Sequence, residues 1–165
     1  VADAPKKAPS KASLAIAAAV LLSVPVTGAF EGLRTHPYRD PGDPRLWTVC
    51  YGETEREIRT YTAQECRALL NGRQEQDYGP AVLKCVPAFA DERRRYAFAA
   101  SIDAAYNAGI GAFCRSRMAR AFNAGQWRQG CDGFLGWRAT ANGKVLRGLE
   151  RRREAERALC LKGAA

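Results

Sequence analysis

The sequence predicts an α+β protein, with a small sheet-bearing lobe ahead of a larger helical lobe and an apolar segment before both. Three observations carry that expectation. Residues 12–30, ASLAIAAAVLLSVPVTGAF, run for 19 positions without a charge. Residues 31–61 show little helical periodicity and contain two strand-like runs. Beyond Thr62, helix start and stop signals recur. At 165 residues the chain fits one domain with an appendage and is long enough to bury a substantial core.

Residues 1–11, VADAPKKAPSK, read as a flexible basic tail. A helix over 12–30 would reach about 28 Å, just enough for a hydrocarbon core. Lys6, Lys7 and Lys11 in front of it would hold the N-terminus in the cytoplasm and send the rest outward. The run is weakly apolar, however, being rich in Ala and carrying Ser13, Ser23, Pro25, Thr27 and Gly28. A cleaved signal peptide ending near Val26-Thr27-Gly28, a marginal anchor that later leaves the bilayer and a buried helix of a soluble protein all stay open. Residues 31–165 form the folded domain. WTVCYG at 47–52 and EIRTY at 57–61 read as two short strands joined through a turn. Thr62 and Glu65 form a capping box that starts a helix, and Asn71-Gly72 offers a stop or an irregularity. Asp91 starts the next helix, whose apolar side is Tyr96, Ala99, Ala100, Ile102 and Tyr106 and which ends at Gly109. Ser116 caps another, and further helices fit 126–137 and the Arg/Glu-rich stretch around 146–159.

The net charge of +9 and pI near 9.6 predict attraction to an acidic partner. The only dense runs, Arg93–Arg95 and Arg151–Arg153, fall in helices, where three consecutive side chains point apart. They read as solvated helix faces, and no nucleic-acid partner is expected. Cys50, Cys66, Cys85, Cys114, Cys131 and Cys160 include no CxxC, and His36 is the single histidine, so no metal site and no cofactor are expected. Three disulfides in an oxidising compartment fit better than six buried thiols. The expected pairing is Cys50–Cys66, Cys85–Cys114 and Cys131–Cys160, one of many that six cysteines allow.

A glutamate closes the apolar run and an aspartate follows nine residues later: FEGLRTHPYRDPGDPRLWTVCYG, residues 30–52. Splitting a glycosidic bond needs a proton donor and a second carboxylate. Glu31, beside Phe30, is placed for an apolar setting that would keep it protonated; Asp40, in a polar turn, stays ionised. Thr48, at the start of a strand, offers a hydroxyl for the attacking water. A Glu and an Asp at this spacing are also ordinary solvated loop residues in most proteins.

The pattern E-G-x4-P-Y-x-D followed by W-T-V-x-x-G resembles the active-site segment of phage-type lysozymes, glycoside hydrolase family 24. YTAQECRALLN at 61–71, YNAGIGAFCRSRMARAFNAG at 106–125 and GLERRREAERALC at 148–160 resemble further blocks of that family, in the same order. The resemblance covers about residues 30–161. It implies a two-lobed fold with a cleft between the lobes and cleavage of the β-1,4 bond between N-acetylmuramic acid and N-acetylglucosamine in peptidoglycan glycan strands by a monomer. It implies Glu31 as general acid, Asp40 as general base and Thr48 as positioner of water. It also places Tyr106, Asn107 and Gly109 along the cleft as substrate-binding residues, and makes Arg151 the partner that orients the Glu31 carboxyl. Residues 12–30 resemble the signal-anchor-release segment of lambdoid-phage endolysins. That implies tethering to the inner membrane with the catalytic domain in the periplasm, then release, driven by loss of the membrane potential, as a soluble periplasmic enzyme.

Departures from the family pattern are visible too. The gap between Asp40 and Thr48 is longer than in relatives because of PGDPR; Glu53 stands where relatives carry histidine; Cys85 and Cys114 are additions. Two other functions remain to be separated from the lysozyme. A lytic transglycosylase would use Glu31 alone, and a non-enzymatic wall-binding protein would use neither carboxylate.

Overall fold

The computed structural model describes residues 8–40, 42–54, 56–137, 140–141 and 144–163. Most of the tail expected over 1–11 lies outside them. The apolar run is helix α1, Lys11–Glu31, so the helix includes the glutamate rather than ending before it. Ser10 caps it by accepting a hydrogen bond from the Ser13 N–H at 3.1 Å. Gly32 stops it at φ +74°, a conformation that a side chain disfavours.

Ala15, Ile16, Ala19, Val20, Ser23 and Thr27 line one face of α1 and are buried. That face packs chiefly on helix α4, Arg95–Ala108, whose own buried positions are mostly alanine. Small residues on both sides let the two helices approach closely. This explains the Ala-rich composition of 12–30 without a bilayer, while Leu14 and Leu21 on the other face stay exposed.

The small lobe is a hairpin of β1, Arg34–Arg39, and β2, Trp47–Cys50, paired antiparallel with Tyr38 opposite Thr48. The expected partner for WTVC, EIRTY at 57–61, is not a strand. Cys50 at φ 60° and Gly52 at φ 87° turn the chain back at once, and the return pairs at one bridge, Val49 with Glu53. Residues 57–60 are exposed, so no apolar face exists to fix a strand register there; the Tyr61 N–H reaches the Thr35 carbonyl at 2.9 Å. Val49, Cys50, Tyr51, Tyr61, Cys66 and Leu70 form this lobe's own core.

From Ala63 to Cys85 the chain runs as helix α2, Ala63–Arg73, a π turn, Gln74–Tyr78, and helix α3, Gly79–Cys85. The capping box is present: Thr62 Oγ1 accepts from the Glu65 N–H, and Glu65 Oε2 accepts from the Thr62 N–H. Asn71-Gly72 does not stop the helix but does precede an irregularity: the π turn, one residue wider than an α turn, begins at Gln74 and leaves that residue fully buried. Asp91 caps a short 3-10 turn, Glu92–Arg94, that leads into α4, and Gly109 ends α4 at φ +94°. Helices α5, Ile110–Cys114, α6, Arg117–Asn123, and α7, Trp127–Gly136, follow, with Ser116 capping α6 as expected. Two-residue strands β3, Thr140–Ala141, and β4, Lys144–Val145, precede α8, Arg147–Leu161.

Phe89, Phe98, Phe113, Phe122 and Phe134 centre the larger core, to which α1 contributes its buried face. The two lobes meet along α1 and the 63–85 helix, where Val24 packs against both cores. All three expected disulfides are present: Cys50–Cys66 in the small lobe, and Cys85–Cys114 and Cys131–Cys160 in the helical lobe.

Candidate active site

Glu31 ends α1 with its side chain a quarter exposed, at the edge of a cavity of about 670 Å³. Asn107, Leu146, Leu149, Arg151 and Arg152 also line that cavity. The Glu31 carboxyl accepts from Arg152 Nη1 at 2.6 Å. Arg151, the expected partner, is exposed on the cavity wall and the ion pair belongs to the next residue. Helix geometry gives the reason. Leu149, Arg152, Arg153, Glu156, Leu159 and Cys160 share one face of α8, about 100° per residue apart, and Arg151 falls off it. The same face overturns the reading of the Arg151–Arg153 run as solvated, because Arg152 and Arg153 are each only 3% exposed.

Arg152 does not face Glu31 alone. Its Nε and Nη2 donate to Asp103 Oδ2 and Oδ1 at 3.1 and 2.8 Å, and Asp103 is fully buried on α4. Thr27 Oγ1 donates to Asp103 Oδ1 at 2.6 Å and accepts from Gln74 Nε2 at 2.6 Å. Arg153 donates to Glu156 at 2.5 Å and to Asn107 Oδ1, and its guanidinium lies over Trp137. Burial, and next the nearby Asp103 carboxylate, push Glu156 up to about 9. Near neutral pH it therefore keeps its proton.

Asp40 sits just past β1 and is held locally. Its Oδ1 accepts from the Gly42 and Asp43 N–H groups at 2.7 and 3.1 Å. Its Oδ2 faces the Thr48 hydroxyl at 3.5 Å, at the long end for a hydrogen bond. Thr48, on β2, is buried. The longer loop between them is stitched to itself: Arg45 clamps Asp43 with two bonds, and Arg39 donates to the Pro44 and Arg45 carbonyls while lying 4.0 Å over Trp47.

Among the other expected site residues, Asn107 lines the cavity with Glu31. The Tyr106 hydroxyl donates to the Tyr51 carbonyl at 2.8 Å and so joins the lobes; burial, and then Glu53 and Glu31, raise its pKa. Gly109 closes α4, and no atom comes within 4 Å of where its Cβ would lie. Glu53 is fully buried and accepts from Arg73 at 3.0 Å and Arg56 at 3.4 Å. Its partners are thus two cations.

The family model for phage lysozyme matches residues 28–156, a span containing Glu31, Asp40, Thr48, Asp103, Asn107, Arg152 and Glu156. The chain belongs to the phage lysozyme family. It is therefore placed among glycoside hydrolases. It is 34% identical over 154 residues to the SAR-endolysin of Enterobacteria phage P21, across 92% of this chain and 89% of that one. It is similar to the muramidase domain of SpmX from Asticaccaulis excentricus, with TM-score 0.64 and 30% identity over 85% of this chain and 95% of the other. A variant of the phage P22 lysozyme shares the fold with TM-score 0.69 and 22% identity, covering 85% of this chain and 95% of that one.

Sequence reasoning on this phage lysozyme family member missed Thr27, Gln74, Asp103, Arg152, Arg153 and Glu156. One signal was present for three of them: the Leu149/Leu159/Cys160 face of α8 carries Arg152, Arg153 and Glu156 where apolar residues would be expected. Asp103, the lone charge in the apolar run AFAASIDAAY, gives a second.

Proposed function

We propose that the protein is an endolysin, a lysozyme that hydrolyses the β-1,4 bond between N-acetylmuramic acid and N-acetylglucosamine in peptidoglycan. Glu31 protonates the leaving glycosidic oxygen. Asp40 takes a proton from the attacking water, which the Thr48 hydroxyl positions. One observation carries this reading: Glu31 stands at the cavity edge with one oxygen fixed by a buried arginine, which leaves Oε2 to carry the proton. In the hairpin, backbone N–H groups engage Asp40 Oδ1, so Oδ2 serves the water beside Thr48. The 3.5 Å gap is in keeping with a site that tightens on substrate. Asn107, its Oδ1 taken by Arg153, offers its amide N–H groups to a sugar, and the open backbone at Gly109 allows a glycan close approach. The Tyr106 hydroxyl is committed to Tyr51, so Tyr106 contributes its ring to the cleft.

The protein acts as a monomer in the periplasm, after export and tethering through residues 12–30. Similarity to SAR-endolysins supports this, as does α1, which is long and apolar enough to cross a membrane by length and composition. Thr27 suits both states. In a bilayer its hydroxyl can donate to the Ser23 carbonyl of its own helix, which lies 3.2 Å away; when α1 docks, the hydroxyl donates to Asp103 and accepts from Gln74. Loss of the membrane potential releases the weakly held helix, and docking brings Glu31 to Arg152. Full activity of protein inserted in sealed vesicles would sink this control scheme.

The decisive assay is turbidity loss of outer-membrane-permeabilised Gram-negative cells. Wild type lyses them; Glu31→Gln and Asp40→Asn, each folded, lose about a hundredfold or more. Products carry reducing ends. Activity surviving in Asp40→Asn, with 1,6-anhydro ends, would replace the lysozyme by a transglycosylase, and wall binding without lysis would replace it by a binding protein.

A further inference from the structure

Thr27 and Glu31 lie one turn apart on α1 and reach the same buried ion pair from opposite sides. The Thr27 hydroxyl meets Asp103 Oδ1, the Asp103 carboxylate takes Nε and Nη2 of Arg152, and Nη1 of Arg152 meets Glu31. These four side chains close a circuit whose return path is a single helical turn. Asp103 and Thr27 are fully buried and do not line the cavity that Glu31 faces, so neither contacts a substrate held there.

A planar guanidinium held by one bond swings about that bond; held by two at Nε and Nη2 it has one orientation. The fork on Asp103 therefore decides where Nη1 points, and Nη1 is the atom that fixes Glu31. Thr27 in turn shares the very oxygen that Nη2 uses, so the fork feels the presence of α1. Besides Asp103 on α4 and Glu31 on α1, Arg152 faces Glu156 on α8, whose Oε1 is 3.6 Å from Nε; Glu156 also hydrogen-bonds Asp103, and Tyr106 on α4 lies close enough to Glu31 for their charges to interact. Arg153 satisfies Glu156, and Glu156 does not hold the fork.

We propose that Asp103 is a positioning residue for the acid: it clamps Arg152 so that Nη1 meets Glu31, and through Thr27 it makes that clamp complete only when α1 is docked. This rests on Glu31 being the general acid. When α1 is away, Asp103 and Arg152 still pair, so the body of the protein stays folded while the acid and the fourth side chain are both missing. Docking supplies both at once, because one helix turn carries them.

The test is steady-state cleavage of purified peptidoglycan, read as new reducing ends, by the soluble full chain across a pH series. Wild type and Glu31→Gln calibrate the lysozyme reading: an inactive wild type, or an active Glu31→Gln, defeats that reading and this one with it. With those controls as expected, Asp103→Asn lowers kcat about tenfold or more while KM stays within about twofold. Its alkaline limb of kcat/KM moves to lower pH, because Arg152, no longer paired with a carboxylate, presses its charge on Glu31. Thr27→Val lowers kcat by a few-fold with the same sign of pH displacement, and Thr27→Ser, which keeps the hydroxyl, restores both. If Asp103→Asn fails to fold, the Thr27 pair decides. Loss of melting temperature with an unmoved pH profile and unchanged kcat, or no difference between Thr27→Val and Thr27→Ser, would reduce Asp103 to a charge-balancing group and overturn the proposal.

Discussion

The two candidate carboxylates are held in opposite ways. Asp40 is fixed by N–H groups two and three residues away and faces a hydroxyl eight residues on, all within one hairpin. Glu31 is fixed by an arginine 121 positions later, itself fixed by an aspartate 49 positions before it. The proposed base side of the site exists as soon as the hairpin closes. The proposed acid side exists only when α1, α4 and α8 are packed together. Control by helix docking is therefore available on the acid side and absent on the base side.

Arg152→Ala should break that contrast most severely. It leaves Asp103 buried with no cation, which for a broken buried pair costs about 3–5 kcal/mol, and it frees Glu31. Denaturant melts should show that loss together with near-complete loss of lysis. Opening the small lobe should separate the two properties instead. Cys50–Cys66 closes a short loop that starts at the last residue of β2, the strand that carries Thr48, and so ties that strand to α2. Replacing both cysteines by Ala should cost about 3 kcal/mol, and the remaining folded fraction should still lose activity through Thr48. Replacing Cys131 and Cys160, which tie α7 to α8 behind the network, should cost similar stability and leave the folded protein's pH profile and KM unchanged. Equal kinetic effects from the two pairs would erase the contrast.

A third measurement reads the acid side through pH. Glu156 sits at about 9 in the folded protein against an ordinary glutamate value near 4.5. Below the ordinary value both states carry the proton. Between the two values the unfolded chain releases it and the folded one keeps it, so stability falls as pH rises, by at most about 1.4 kcal/mol per unit. Between pH 5 and 7 this should amount to about 2 kcal/mol, and Glu156→Gln should flatten the slope. An unchanged slope in Glu156→Gln would mean that the carboxyl is ionised beside Arg153.

The base side was legible in the sequence for the same reason that it is local. Asp40, Pro- and Gly-rich neighbours and the WTV strand lie within one short window, and turn chemistry and strand propensity act within such windows. The helices with caps, Thr62, Ser116 and the Gly109 stop, were legible on the same ground. The acid network was not. Arg151 and Arg152 are neighbours of identical type, and only the packing of α8 against α4 decides which one turns inward. EIRTY misled because its residues suit a strand while no buried face waited for them. The apolar run stayed ambiguous because Ala, Ser and Thr at those positions serve a close helix–helix contact and a marginal bilayer span equally well.

The smallest expected effect lies in the long loop between Asp40 and Thr48. Arg45 clamps Asp43 there, and the Arg45 guanidinium beside Asp43 draws that carboxyl below its usual range. An exposed pair adds little to folding. Arg45→Ala should therefore leave the melting temperature unchanged and reduce lysis only a few-fold, since Asp40 keeps its own bonds to Gly42 and Asp43. The residual effect should appear in KM rather than in kcat if the loop serves only as a rim for the glycan. A drop in kcat as large as that of Asp40→Asn would show that the loop's internal stitching places the base, and the base side would then depend on more than its own backbone.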